Sequence, residues 1–178
     1  IPEGLGYSEA ALAEPWACVV CAFRVEMRRS IKPGGTVAVV GGPHPRSGFT
    51  AGALAEGPLP AAILALNVPA EVNYLLSEAA AAGVRVLRAS SEQELASLAA
   101  ERGGIDDLVL LDPTADQVES LAPLLANDGL LCLMIDRPLG RAVAVDAGRI
   151  HYDGIRYVGA SGPDVSVAYA STRSVKPV

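Results

Sequence analysis

Aromatic side chains are scarce in this sequence: one Trp, five Tyr and two Phe make up 4% of it. A core must therefore be assembled from Ala, Val, Leu and Ile, the usual filling of a parallel sheet held between helices. Basic residues are also in deficit, 14 Lys and Arg against 20 Asp and Glu, for a net charge of -6. That sign is wrong for a surface that must neutralise nucleic-acid phosphates, so no nucleic-acid partner is expected. No apolar run approaches the roughly 20 residues that span a bilayer, and the opening Ile1-Pro2-Glu3 lacks a charged-then-apolar secretory pattern. No membrane association is expected, and the composition reads as that of a cytoplasmic protein.

Only three cysteines are present, so they cannot pair completely. Cys18 and Cys21 fall in an apolar helical stretch and Cys132 in a strand-like one, which reads as buried core thiols in a reducing compartment. The Cys18-x-x-Cys21 spacing lacks the second ligand pair that a zinc knuckle needs. Of the two histidines, His44 lies in an irregular loop and His151 before the last strand, neither beside a nucleophile or a ligand cluster. Ser47 is not in a G-x-S-x-G elbow, and neither H-E-x-x-H nor G-x-x-x-x-G-K-[ST] occurs. Hydrolase, zinc-protease and nucleotide-triphosphatase chemistry lose their usual support, and no catalytic or metal-ligating residue is expected in this chain.

What the sequence does have is alternation. Ala11, Leu12, Trp16, Val19, Val20, Phe23 and Met27 recur at helical spacing and predict one amphipathic helix from about Ser8 to Ser30, closed by Pro33-Gly34. Strand-like runs follow at Thr36–Gly41, 61–67, 84–87, 107–111, 130–135 and 155–159. Helical stretches separate most of them, over about 69–82, 91–102 and 114–126. Pro69 suits the first turn of one helix and Gly83 its C-terminal cap. Right-handed crossovers then give an α/β fold with a doubly wound parallel six-stranded sheet, most simply in the order 3-2-1-4-5-6, and ligands bind beyond the carboxyl ends of its strands. At 178 residues the chain is read as one domain over 1–178, with 1–30 as an N-terminal linking helix. It lacks an initiator Met and stops at Val178 soon after a final helix, so a fragment is expected.

The first strand runs into Gly41-Gly42-Pro43-His44-Pro45-Arg46-Ser47-Gly48. A glycine-rich turn between a buried strand and a short helix, expected from about Phe49, suits a pyrophosphate held by backbone N–H groups. Gly41, Gly42, His44, Arg46, Ser47 and Gly48 are therefore candidate cofactor-binding residues. The spelling departs from G-x-G-x-x-G: Gly48 lies seven positions after Gly41, and Pro43 and Pro45 remove two donors. Asn67 ends the second strand, where an Asp or Glu would accept hydrogen bonds from an adenosine ribose. Without a carboxylate to repel a 2′-phosphate, NADP becomes possible beside NAD, with Arg46 as the nearest positive partner. Asp112, Pro113 and Ser161 close later strands at the same edge and are candidates for the nicotinamide end. Thr114 suits a plain helix N-cap better than a ligand contact.

Two further stretches carry a resemblance. Glu14-Pro15-Trp16-Ala17-Cys18-Val19 resembles the E-P-L-A/S-x-V segment that opens the cofactor domain of medium-chain zinc-dependent alcohol/polyol dehydrogenases. Ile31-Lys32-Pro33-Gly34-Gly35-Thr36-Val37 resembles the V-K-P-G-D-T-V that follows it. Asp106-Asp107-Leu108 through Asp128-Gly129, Gly148 to Gly154 and Val158-Gly159-Ala160-Ser161-Gly162 look like the branch of sorbose-phosphate reductase and threonine dehydrogenase.

The resemblance covers nearly the whole chain and implies a Rossmann domain that binds NAD or NADP as its dinucleotide partner. It implies that zinc belongs to a separate catalytic domain absent from this chain, with Glu14 at most a neighbour of that metal. It also implies a homodimer through the edge strand near Ile155–Gly159, which would cover an otherwise unpaired edge. The parent would then be an NAD(P)-dependent oxidoreductase and the fragment alone inactive. The competing reading is a degenerate Rossmann module that has lost the dinucleotide through the rebuilt loop and serves a structural or interaction role. A methyltransferase-like or nucleotide-sugar domain leaves the Glu14-Pro15 helix and the 151–162 segment unexplained.

Overall fold

Apolar runs at regular spacing build a parallel sheet whose two faces are both covered. A computed structural model describes residues 3–4, 6–24 and 28–170. Its six strands are β1 (Thr36–Gly41), β2 (Ala62–Leu66), β3 (Arg85–Arg88), β4 (Ile105–Leu111), β5 (Leu125–Met134) and β6 (Arg156–Ala160). All pairings are parallel, and the order is β3-β2-β1-β4-β5-β6, the expected doubly wound arrangement. In chain order the helices are α1 (Tyr7–Ala11), α2 (Ala13–Arg24), α3 (Ala70–Ala81), α4 (Glu92–Ala100), α5 (Ala115–Leu121), α6 (Ala147–Tyr152) and α7 (Val165–Ala170). None of the described helices is long and apolar enough to cross a membrane.

Alternation along the strands separates two cores. Val37, Ile63, Val109 and Met134 pack with Val72 and Leu76 of α3 and Tyr169 of α7 on one face. Ala38, Leu64, Leu108 and Leu131 pack with Leu95 of α4 and Val118 and Leu121 of α5 on the other. Each fully buried leucine contributes about 1.5–3 kcal/mol of hydrophobic stabilisation. The caps follow the sequence closely. Ser91 accepts the N–H of Glu94 at the start of α4, and Thr114 forms a capping box with Gln117 at the start of α5. Thr114 is thus the N-cap that its bland reading required.

One buried polar cluster ties the start of the sheet together. Asp107 of β4 is 0% exposed. Its carboxylate accepts hydrogen bonds from the Arg28 guanidinium at 2.7 Å, the Lys32 backbone N–H at 2.9 Å and the Tyr169 hydroxyl at 2.9 Å. The ion pair with its two neutral donors satisfies a charge that would otherwise be costly inside the protein. Asp106 next to it accepts from Lys32 Nζ and from the Thr36 N–H at 2.8 Å. The Ile31-to-Val37 turn is thereby fixed to β4.

The chain divides into two units, residues 1–27 with 172–178 and residues 28–171. In the first, the single helix expected over 8–30 is replaced by α1 and α2. Pro15 explains the break: lacking an N–H, it cannot bond the Ala11 carbonyl, and the ladder resumes with Trp16 donating to Leu12 at 3.0 Å. Residues 25–27 lie outside the described residues, and Ser30 is not helical. Leu12, Trp16 and Val19 are 66%, 70% and 48% exposed. Cys132 is buried as expected, whereas Cys18 is exposed, because helical periodicity marks an apolar face without supplying what covers it. The Cys21 side chain lies outside the described set.

Elsewhere the differences are local. The short helix expected from Phe49 is a single 3-10 turn at Gly52–Leu54. The helix expected over 114–126 ends at Leu121 and tightens into a 3-10 turn at Ala122–Leu124, where Pro123 cannot continue the α ladder.

Candidate functional site

The carboxyl ends of β1, β2 and β4 meet at one place. Gly41 and Gly42 end β1 between its two neighbours, and both are buried. A Cβ on Gly41 would overlap the Asn67 carbonyl oxygen, and one on Gly42 would overlap that of Asp112. Asn67 and Asp112 follow directly on β2 and β4, and both have φ 48, a left-handed conformation that Asn and Asp tolerate better than most residues. The two strands thus turn away alike on either side of β1, and only glycine fits between them. This is the crevice in which a doubly wound sheet binds ligands.

Asn67 uses its amide to hold that geometry. Its Nδ2 donates to the Gly42 carbonyl and lies 3.4 Å from that of Gly41. An aspartate there would set a carboxylate against two carbonyl oxygens, which accounts physically for the amide at a position where the resemblance implies an acid. Nδ2 is committed to the loop, so the amide oxygen is the atom of Asn67 left to face a ligand.

Arg46 crosses to the other side of β1. Its backbone N–H donates to Asp112 Oδ2 at 2.9 Å, and its Nε lies 3.5 Å from the same oxygen. Its guanidinium reaches Asp136 beyond β5 at 3.2 Å and donates to the Ser161 and Gly162 carbonyls beyond β6 at 2.8 and 3.1 Å. It also lies over the Phe49 ring, 4.9 Å from the centroid. One side chain therefore ties the ends of β4, β5 and β6 to the loop after β1. The backbone adds a second tie, a parallel bridge between Thr50 and Asp164. Arg46 is brought together with Asp112 and Ser161, and not with Asn67 as its expected role beside a 2′-phosphate required.

The far end of the loop holds an anion of the protein's own. Gly48 has φ +86, and nothing lies within 4 Å of where its Cβ would stand. Its N–H and that of Phe49, the latter at 3.2 Å, both donate to Glu71 Oε1 from the first turn of α3. Bonds from its own backbone N–H, and then from those of Gly48 and Phe49, hold the Glu71 carboxyl below its usual range. Two consecutive N–H groups converging on one anionic oxygen form the nest that phosphate-binding loops employ. The donor set is of a kind that suits a phosphate group, and Glu71 fills it in this structure.

The remaining candidates are peripheral. His44 and Ser47 are exposed in the loop, and Pro113 is buried behind Asp112. Glu14 is exposed in the first turn of α2. Among the described residues, no group of three or more His, Cys, Asp or Glu could hold a metal ion. The sequence reading missed Glu71, Asp136 and the structural Asp107. Glu71 looks in sequence like any acidic first-turn residue complementing a helix dipole, and only the fold brings it against Gly48.

No family model matches the chain. A curated relative, mannitol-1-phosphate 5-dehydrogenase of Aliivibrio fischeri, is 28% identical over 184 residues, covering 90% of this chain and 43% of that protein. Benzyl alcohol dehydrogenase of Acinetobacter calcoaceticus superposes with a TM-score of 0.55 at 15% identity, covering 80% of this chain and 38% of the other. A putative zinc-binding dehydrogenase of Sinorhizobium meliloti, solved bound to NADP, gives 0.51 at 21% identity, over 96% of this chain and 49% of the other. The chain spans less than half the length of each of these proteins. With these solved dehydrogenases it shares the fold, a six-stranded parallel Rossmann-like sheet flanked by helices.

Proposed function

We propose that this chain is the cofactor-binding part of an NAD(P)-dependent oxidoreductase of the medium-chain alcohol/polyol dehydrogenase kind. The observation that carries the reading is the crevice where β1 ends between Asn67 and Asp112, with the N–H pair of Gly48 and Phe49 already holding an anionic group. In this reading Gly48 and Phe49 hold the diphosphate, and the Asn67 amide oxygen accepts a ribose hydroxyl. Gly41 and Gly42 let the backbone approach closely, while Asp112, Pro113 and Ser161 flank the nicotinamide half. His44, Arg46 and Ser47 complete the loop around it. When bound, the cofactor supplies the hydride transfer. Asn67 places no carboxylate against a 2′-phosphate, so either NAD or NADP is accommodated.

Zinc and the substrate belong to a part of the parent protein outside this chain, and this chain alone is inactive. A polyol or its phosphate is the favoured substrate class, because the curated relative is a mannitol-1-phosphate 5-dehydrogenase. The outer edge of β6, near Ile155–Gly159 and unpaired among the described residues, is the proposed seam of a homodimer.

A second reading has a specific observation behind it. Arg46 spans Asp112, Asp136 and Ser161 by itself, and Glu71 fills the anion nest. A module that satisfies its own crevice in this way has no need of a nucleotide and serves structure or interaction. Full-length protein, supplied with zinc and assayed for NAD(P)-linked turnover over a panel of alcohols and polyol phosphates, separates the two. Turnover is the expected result, and its absence throughout the panel favours the structural module.

A further inference from the structure

Most polar groups of the crevice are paired from within, the buried Arg46 Nε excepted, and Glu71 is a member whose charge opposes a dinucleotide. Its carboxylate occupies the converging N–H groups of Gly48 and Phe49. Several other donors of the loop are already spent. Gly42 N–H is spent on the Leu111 carbonyl at 2.8 Å, Arg46 N–H on Asp112, and Thr50 N–H on the Pro163 carbonyl at 3.1 Å. Pro43 and Pro45 have no N–H to give. The single guanidinium of Arg46 faces two carboxylates, Asp112 and Asp136. An incoming diphosphate therefore meets a crevice already supplied with anions.

We propose that Glu71 is a built-in competitor for the diphosphate, an acidic plug that must leave the Gly48–Phe49 N–H pair before a phosphate can take its place. The proposal rests on the dinucleotide reading above and deepens it by naming the residue that sets affinity at that site. Two anions cannot share one pair of donors, because the two N–H groups are already committed to one oxygen and like charges at contact distance repel. Glu71 also sits on α3, the helix that follows β2 and Asn67. Displacement of its side chain is thus the local change that admits a ligand, and the backbone of the nest is already in place.

The test uses inorganic pyrophosphate as the probe of the nest and NADH and NADPH as probes of the whole crevice. Wild type is compared with Glu71→Gln, which keeps the shape and removes the charge, and with Glu71→Ala, which empties the nest. Glu101→Gln, at the end of α4, is the control for an equal change in net charge. Binding is read from the 1H–15N amide resonances of Gly48 and Phe49 and from calorimetry. Glu71→Gln is expected to bind pyrophosphate and dinucleotide about tenfold more tightly than wild type, about 1.4 kcal/mol, with Glu101→Gln unchanged. If Glu71→Ala does not fold, Glu71→Gln decides alone. Equal affinity in wild type and Glu71→Gln overturns the proposal, and dinucleotide binding to both leaves the cofactor reading intact. Pyrophosphate shifting the two amides only in the variants, with no dinucleotide bound by any form, upholds the plug and sinks the cofactor reading. No response of these amides to pyrophosphate in any form overturns the plug.

Discussion

Asp112 accepts the backbone N–H of Arg46 at 2.9 Å, and the same carboxylate oxygen lies 3.5 Å from that residue's guanidinium. Backbone and side chain of one loop residue are thus anchored to the end of β4. The guanidinium then extends the anchor to the ends of β5 and β6. The loop after β1 is shaped by this fork, and the crevice depends on it.

Arg46→Ala is expected to lower stability by about 1–3 kcal/mol, because the Asp112 side chain, 9% exposed, loses its charged partner. Arg46→Lys should recover only part of this, since an ammonium cannot reach several strand ends as a planar fork does. Urea unfolding of the two variants against wild type reads the difference. Equal stability of Arg46→Ala and wild type would show the fork to be incidental.

The buried cluster at the opposite end of the sheet should be less tolerant. Asp107→Asn leaves the Arg28 guanidinium without its carboxylate, at an expected cost of about 3–5 kcal/mol. Tyr169→Phe removes one donor to a charged acceptor and should cost about 2 kcal/mol. Chemical denaturation gives both numbers, and the reverse ranking would contradict the assignment of Asp107 as the centre of the cluster.

Alkali should destabilise the fold through the same cluster. Burial, and then the charge of Asp107, push the Cys132 thiol from 9.0 up to about 12. Burial and Asp107 also raise the Tyr169 hydroxyl. In each case the folded state keeps a proton that the unfolded state releases, so stability is fully present below pH 9 and falls as pH rises towards 12. Unfolding measured at intervals across that window should show the decline, and Cys132→Ala should flatten part of it. Site-resolved alkylation at pH 8 should label the exposed Cys18 and spare Cys132. Rapid labelling of Cys132 in folded protein would refute its burial.

Asn67→Asp carries a two-part expectation. Exchanging the donor to Gly41 and Gly42 for an acceptor should cost about 1 kcal/mol of stability. The new carboxylate should also weaken NADPH more than NADH, by repelling a 2′-phosphate. Thermal unfolding and paired titrations check the two parts. A variant as stable as wild type would mean that the amide does not hold the loop.

The order of the sheet was legible because the strands are short apolar runs and the helices between them are marked at their starts by residues such as Pro69, Ser91 and Thr114. Thr36–Gly41, Pro69, Ser91 and Thr114 carry their structural roles in local sequence. The place of the crevice was legible for the same reason, since Gly41 ends a strand and Asn67 and Asp112 each directly follow one. The polar pairing inside it was not. Glu71 lies 23 residues from Gly48, and Arg46 lies 66 from Asp112. No local pattern announces contacts made only by folding. The break at Pro15 was open to prediction, because the missing N–H is written in the residue itself.

Whether the crevice holds a dinucleotide is read from titration of the unmodified chain with NAD, NADH, NADP and NADPH in separate calorimetric runs. Saturable binding at a single site is expected, displaced by inorganic pyrophosphate and shifting the amides of Gly48, Phe49 and Asn67. No saturable binding of any of the four up to about 5 mM, an affinity weaker than about -3 kcal/mol, would contradict the dinucleotide reading.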